Sequence, residues 1–125
     1  MNSALSKVYS IGSRIDVLEE DLNIMMYEDR LENHGFIPDY TPYEIRNRNE
    51  ERKMKVNELN YLLDEEVRYI MAALHENIGV LEKDMLERKL NDYRRDRLRR
   101  DPTYTFIDNY SKWQEIYHRR QHLNQ

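Results

Sequence analysis

Apolar residues recur along the middle of the chain at steps of three, four and four positions. The nine residues of this central apolar stripe are Val56, Leu59, Leu63, Val67, Ile70, Leu74, Ile78, Leu81 and Met85. The spacing corresponds to about 3.67 residues per turn, so these side chains share one narrow edge of a helix. The stripe crosses Gly79 in phase, which favours one extended helix over about residues 42–100. A kink or break near Gly79, giving two shorter helices, is the alternative.

A second stripe predicts a helix over about residues 4–33. Its members are Leu5, Val8, Ile11, Ile15, Leu18, Leu22 and Met25. From Ile11 onward the steps alternate between four and three, as in the heptads of coiled coils. Ser3 is a suitable N-cap, and Gly35 can adopt the left-handed conformation that commonly ends a helix.

The loop over residues 34–41 ends in a capping box. Thr41 is placed to cap the next helix, Pro42 to take its first position, and Glu44 to reach back to the Thr41 amide. These residues predict a helix start at Pro42.

A turn at residues 101–104 and a helix over about 105–121 complete the predicted elements. Four aromatic residues follow the turn at helical spacing: Phe106, Tyr110, Trp113 and Tyr117. The 125 residues therefore predict one all-α domain, a long helical hairpin or coiled-coil-like bundle with an extended central helix.

The predicted hairpin leaves part of the central stripe uncovered. Folding back through the 34–41 loop places Val8 near Val67 and Leu5 near Ile70, while the last helix reaches only to about residue 82. Burying a large apolar side chain is worth about 1.5–3 kcal/mol, so a second chain is expected to cover the gap. We predict a homo-oligomer, with a dimer favoured, that associates through residues 56–85. The predicted interface residues are Val67, Ile70, Leu74, Ile78, Leu81 and Met85. If the helix kinks, one chain can instead close into a four-helix bundle.

Charge is distributed unevenly along the chain. The net charge is −4, but residues 1–87 carry −9 and residues 88–125 carry +5. Possible nucleic-acid contacts in the basic part are Arg88, Arg94, Arg95, Arg97, Arg99 and Arg100. Guanidinium groups bind phosphates and aromatic side chains stack on bases. However, these arginines wrap around the predicted helix and the whole chain is acidic, so a solvated or acid-paired helix end is favoured.

Catalytic and metal-binding motifs are not evident. The chain has no cysteine, no glycine-rich phosphate loop and no nucleophile motif, so we predict no enzyme activity, no catalytic residue and no cofactor. His118 and His122 have a spacing that can bind zinc, but no further ligand motif accompanies them, so no metal site is predicted. The acidic triplet of residues 64–66 is interpreted as a solvated helix face.

The favoured function is a non-enzymatic helical scaffold, adaptor or inhibitor that acts by helix–helix contact with another protein. Ten tyrosines support this prediction, since tyrosine is favoured at interfaces. The longest apolar run, Tyr69–Leu74, is far shorter than the ~20 residues of a membrane span, so no membrane partner and a cytoplasmic location are expected. The profile also fits a virus- or phage-encoded protein, although no residue demonstrates that origin.

Overall fold

The computed structural model describes residues 3–96 and 110–123, with side chains described for 3–92 and 112–123. Its helices are α1 (Ala4–Asn33), α2 (Pro42–Ala73), α3 (Val80–Asp96) and α4 (Tyr110–Leu123). No strand occurs in these two ranges, which confirms the all-α class. The helices form two compact units: unit 1 is drawn from Met1–Val17 and Asn57–Arg100, and unit 2 from Leu18–Val56 and Asp101–Gln125.

The boundaries of α1 agree with the predicted helix over residues 4–33. The Ser6 amide donates to Ser3 Oγ at 3.1 Å, so Ser3 is the N-cap. At the other end, Gly35 has a φ of +77°. Only glycine adopts this conformation without steric cost, so Gly35 ends the helix and turns the chain into the loop.

The prediction of one continuous helix over residues 42–100 is wrong. The α2 helix ends at Ala73, and α3 begins at Val80. The Gly79 amide donates to Glu82 Oε2 at 2.7 Å, while the Gly79 carbonyl accepts from the Lys83 amide at 2.9 Å. Gly79 is therefore the N-cap of a new helix, and Glu82 reaches back to it as in half of a capping box. The alternative of a break near Gly79 is the one observed.

The core of unit 1 combines the first half of α1, the second half of α2, and α3. Its buried members are Val8, Ile70, Ala73, Leu86 and Leu90. Leu74 and Ile78 are partly buried against this cluster. The stretch of the central stripe that a straight helix would leave open is thus partly covered by α3 of the same chain. That arrangement removes the geometric reason for placing a second chain there.

The core of unit 2 forms where α4 packs on the second half of α1. Ile24, Tyr27 and Trp113 are buried together, and the rings of Tyr27 and Tyr117 meet edge to face with centroids 5.4 Å apart. The predicted last helix is confirmed from Tyr110 onward. Residues 105–109 and the predicted turn at 101–104 lie outside the described residues.

The capping box at the start of α2 gives a testable contribution to stability. The Glu44 amide donates to Thr41 Oγ1, and the Thr41 amide donates to Glu44 Oε1, each at 3.1 Å. We expect Thr41→Ala to lower the free energy of unfolding by about 1 kcal/mol, since it removes the acceptor for a helix-end amide. Urea denaturation measures the change. Thr41→Ser keeps the hydroxyl and serves as the control; equal stability of the alanine and serine variants would contradict the assignment.

Candidate functional site

An open groove runs along the outer face of the α1–α2 pair in unit 1. A cleft of about 450 Å³ takes Lys7 and Arg14 from α1 and Tyr61, Glu65 and Tyr69 from α2. A second cleft of about 290 Å³ shares Arg14 with the first and adds Ser13, Val17 and Glu58. The two clefts therefore adjoin at Arg14 and form one groove between the helices.

The two edges of this groove carry opposite charge. The α1 edge has Lys7 and Arg14, and the α2 edge has Glu58 and Glu65. Each pair is seven residues apart, which is two helical turns or roughly 10 Å. Charges at this spacing along the facing edges of two helices are typical of the flanking positions of coiled coils. Along this groove α1 therefore presents basic side chains to acidic side chains of α2.

Contacts within the chain leave Lys7, Arg14 and Glu58 exposed, whereas Glu65 pairs with Arg68 and its side chain is only 14 % exposed. Arg14 Nη2 lies 3.4 Å from Glu58 Oε1, and both side chains are at least half exposed. Lys7 Nζ lies 5.8 Å from the Tyr69 ring centroid. Exposed ion pairs contribute little to stability, so these charges are not required to hold unit 1 together.

The floor and rim of the groove supply apolar surface. Ile11 and Leu62 are buried beneath it, whereas Tyr61 is 62 % and Val17 59 % exposed. Tyrosine offers a large contact area with one polar end, which is why it is enriched at interfaces. A partner seated here would remove the exposed parts of Tyr61 and Val17 from water.

A buried ion pair fastens α3 to the α1–α2 pair. Lys89 Nζ lies 3.0 Å from Glu66 Oε1, and the Glu66 side chain is completely buried. Gly12 lies against this pair, since a Cβ atom on it would be 3.6 Å from both Glu66 Oε2 and Lys89 Nζ. The interpretation of the acidic triplet as a solvated face is therefore wrong for Glu66. Asp64 is exposed and Glu65 is half-buried, because the three successive carboxylates point in different directions around the helix.

A second polar cluster lies in unit 2, in a cleft of about 240 Å³ between α1 and α2. Arg48 donates from Nε to Asp29 Oδ1 at 3.0 Å and from Nη2 to the Met25 carbonyl at 2.9 Å, and Arg52 also pairs with Asp29. The Arg48 guanidinium lies 4.6 Å from the Tyr40 ring centroid. Burial raises the pKa of Tyr40 from its ordinary 10.0 to about 12. The contacts of Arg48 make this cluster a structural tie between the helices.

Glu28, at the edge of this cluster, predicts a pH-dependent effect. Burial raises the pKa of Glu28 above its ordinary 4.5, and the opposing attraction of Arg48 does not cancel the shift. A raised pKa in the folded state means that stability is lost as the pH rises from 4.5 through the folded-state pKa. We expect Glu28→Gln to abolish that loss. As the pH rises through this range, the free energy of unfolding of the variant should therefore increase relative to that of wild type. Thermal unfolding at a series of pH values tests it, and parallel pH profiles would contradict it.

The predicted oligomer residues do not form one exposed surface in unit 1. Ile70 is completely buried, so it is not open to a partner, and Val67, Leu74 and Ile78 are partly buried against the α3 side of the core. By contrast, Leu81 is 85 % and Met85 41 % exposed on α3. The break at residues 74–79 separates the two groups.

The predicted nucleic-acid residues fall mostly outside the described side chains. Arg88 is 78 % exposed and lies 3.0 Å from Asp84, one helical turn away. Arg94 and Arg95 belong to α3, but their side chains are outside the described set, as are Arg97, Arg99 and Arg100 altogether.

His118 and His122 are exposed on α4. Across the described part of the chain, no group of three or more histidine, cysteine or acidic residues is arranged to hold a metal ion. Arg120, between the histidines, instead binds Glu20 at 2.7 Å and Asp21 at 3.0 Å. This basic side chain is therefore used to dock α4 on α1.

Comparisons with known proteins give no relative: no family model, no curated protein and no solved structure matches the chain. Among the described helices, none combines the length and the apolar character that a membrane crossing requires. The functional conclusion therefore rests on the geometry of the two units.

Proposed function

We propose that the protein is a non-enzymatic helical scaffold, adaptor or inhibitor, and that it binds a partner helix in the groove of unit 1. The observation that carries this proposal is the groove itself, where Lys7 and Arg14 on α1 face Glu58 and Glu65 on α2, and Tyr61 and Val17 are exposed beside these charges. Burial of apolar area supplies affinity, while the charges fix the orientation of the bound helix. This use of a groove by an amphipathic helix is one of the recurring modes of protein recognition.

The charges define the partner helix by its chemistry. Lys7 and Arg14 favour acidic residues about seven positions apart on the side that meets α1. Glu58 and Glu65 favour basic residues on the side that meets α2. Apolar residues of the partner helix would cover the exposed side chains of Tyr61 and Val17.

A displayed library of amphipathic helical peptides tests the proposal. Selection on the purified protein is expected to enrich peptides with acidic and basic residues on opposite flanks of an apolar stripe. Binding should fall at least about tenfold for the combined Arg14→Glu and Tyr61→Ala variant, because one change reverses a charge and the other removes contact area. Arg46→Glu makes the same charge reversal at an exposed position of unit 2 and is the matched control. Enriched peptides that bind the groove variant and the control equally would overturn the proposal.

Nucleic-acid binding by the basic segment at residues 88–100 is the other candidate from the sequence. The one arginine of this set with a described side chain, Arg88, already lies beside Asp84. A gel-shift assay separates the two functions. Binding through phosphates should be strong at about 50 mM salt and weaken steeply as salt is added, so no shift at low salt would reject this candidate.

A further inference from the structure

The charge pattern of the unit 1 groove is complementary to itself, and this bears on which partner the proposed helix-binding function uses. One edge is basic, with Lys7 and Arg14, and the other is acidic, with Glu58 and Glu65. Within the chain, Arg14 and Glu58 stand at the same level along the helices, since their charged atoms are 3.4 Å apart. For two copies packed groove to groove, the direction of the two-fold axis therefore determines which charges meet.

A two-fold axis parallel to the helices leaves the position of each residue along the helix direction unchanged. It exchanges the two sides of the groove. It places α1 of one copy opposite α2 of the second copy. Arg14 then meets Glu58 of the second copy, and Lys7 lies in the same half of the interface as Glu65 of the second copy. Because the contact is isologous, each favourable pairing occurs twice.

The other face-to-face arrangement has its two-fold axis across the helices. It places α1 on α1 and α2 on α2, so the basic edges meet each other and the acidic edges meet each other. Facing like charges are destabilising, and such contacts discriminate between arrangements even when the pairs add little affinity. The charges of the groove thus select the axis parallel to the helices.

We propose that the occupant of the groove is a second copy of this chain, related by a two-fold axis parallel to α1 and α2. The four helix segments from the two copies then form a layered bundle, with Arg14 and Glu58 of both copies at the middle of the contact and Tyr61 and Val17 beside them. In each copy α3 packs on a different side of α1 from the groove. Val8 and Gly12 mark the side of α1 that faces α3, and Lys7 and Arg14 mark the groove side. At about 100° per residue these two sides are roughly 130° apart around the helix axis. The dimer therefore leaves α3 docked as it is in the single chain.

Sedimentation equilibrium of the purified protein tests the inference. The wild-type chain is expected to sediment as a dimer at roughly 100 µM. Arg14→Glu alone and Glu58→Arg alone should each weaken the dimer about tenfold or more, because two attractive contacts become repulsive. Arg46→Glu, outside the groove, should leave the mass unchanged. Circular dichroism of each variant confirms that the helices remain folded.

Mixing the two single variants gives the sharper readout. In the mixed dimer, one half of the interface keeps the original Arg14–Glu58 pair, and the other half carries the same pair with its charges exchanged. The mixture should therefore form a heterodimer with nearly wild-type affinity. The double variant, with both changes in one chain, should also dimerise, since both halves then carry the exchanged pair.

Two results would overturn the inference. One is a wild-type protein that is monomeric at this concentration, and the other is a pair of groove variants that do not differ from the control. If the protein is monomeric but selected peptides still bind the groove, the partner is a different protein and the proposed function stands.

Discussion

Replacing Lys89 with methionine is expected to lower the free energy of unfolding by about 3 kcal/mol, which is the low end of the range for breaking a buried ion pair. Glu66 is completely buried, so it keeps its charge at high cost once the ammonium group 3.0 Å away is removed. The low end applies because the Lys89 side chain is 37 % exposed and its charge is partly screened by water. Urea denaturation of the purified chain measures the loss.

Two further variants separate the charge from the packing at this pair. Lys83→Met makes the same substitution at an exposed position of α3 and should change stability little. Combining Glu66→Gln with Lys89→Met removes both charges and should recover most of the loss, since no ion is then left buried. If Lys89→Met and Lys83→Met were equally stable, the buried pair would not be holding α3.

Replacing Leu86 with alanine is the second change with a large expected effect. Leu86 is completely buried in the core of unit 1, so its truncation should cost about 3 kcal/mol through lost burial and the cavity left behind. Leu81, on the same helix, is 85 % exposed, and Leu81→Ala should cost less than about 0.5 kcal/mol.

This pair of leucines distinguishes the observed fold from a continuous central helix. In a continuous helix, Leu81 belongs to the buried stripe and Leu86 does not. In the structure the break before Val80 reverses their roles. Chemical denaturation of both variants decides the matter: a larger loss for Leu81→Ala than for Leu86→Ala would contradict the position of α3.

Local signals predicted the elements well where the chain itself encodes a start or an end. Ser3, Gly35 and the Thr41–Glu44 capping box set the bounds of α1 and the start of α2. The break at Gly79 was favoured less than continuity because Leu81 and Met85 stay in phase with the stripe before it. Leu81 and Met85 are exposed in the structure. The residues that α3 buries are Leu86 and Leu90, which lie one and five positions after Met85. The Gly79–Glu82 spacing carried the cap signal that the longer pattern obscured.

The site depended on information that no single helix contains. Asp64, Glu65 and Glu66 are all acidic, and only the docking of α3 with Lys89 selects Glu66 for burial. The seven-residue spacings of Lys7–Arg14 and Glu58–Glu65 are readable from the sequence. Their placement on facing edges of one groove follows only from the register of α1 against α2, which fixes Arg14 beside Glu58.

The start of α1 is tied to the turn after α2 by one hydrogen bond, from the Ala4 amide to Glu76 Oε1 at 2.7 Å. The two residues are 72 positions apart. At a translation rate of about 5–20 residues per second, Glu76 is made roughly 4–14 s after Ala4. Of the residues that share a core with Val8, Ile70 and Ala73 are made only at the end of that interval, and Leu86 and Leu90 are made after it. The beginning of α1 is therefore made well before the segments that it packs against, and unit 1 can close only after the turn that follows α2 has been synthesised.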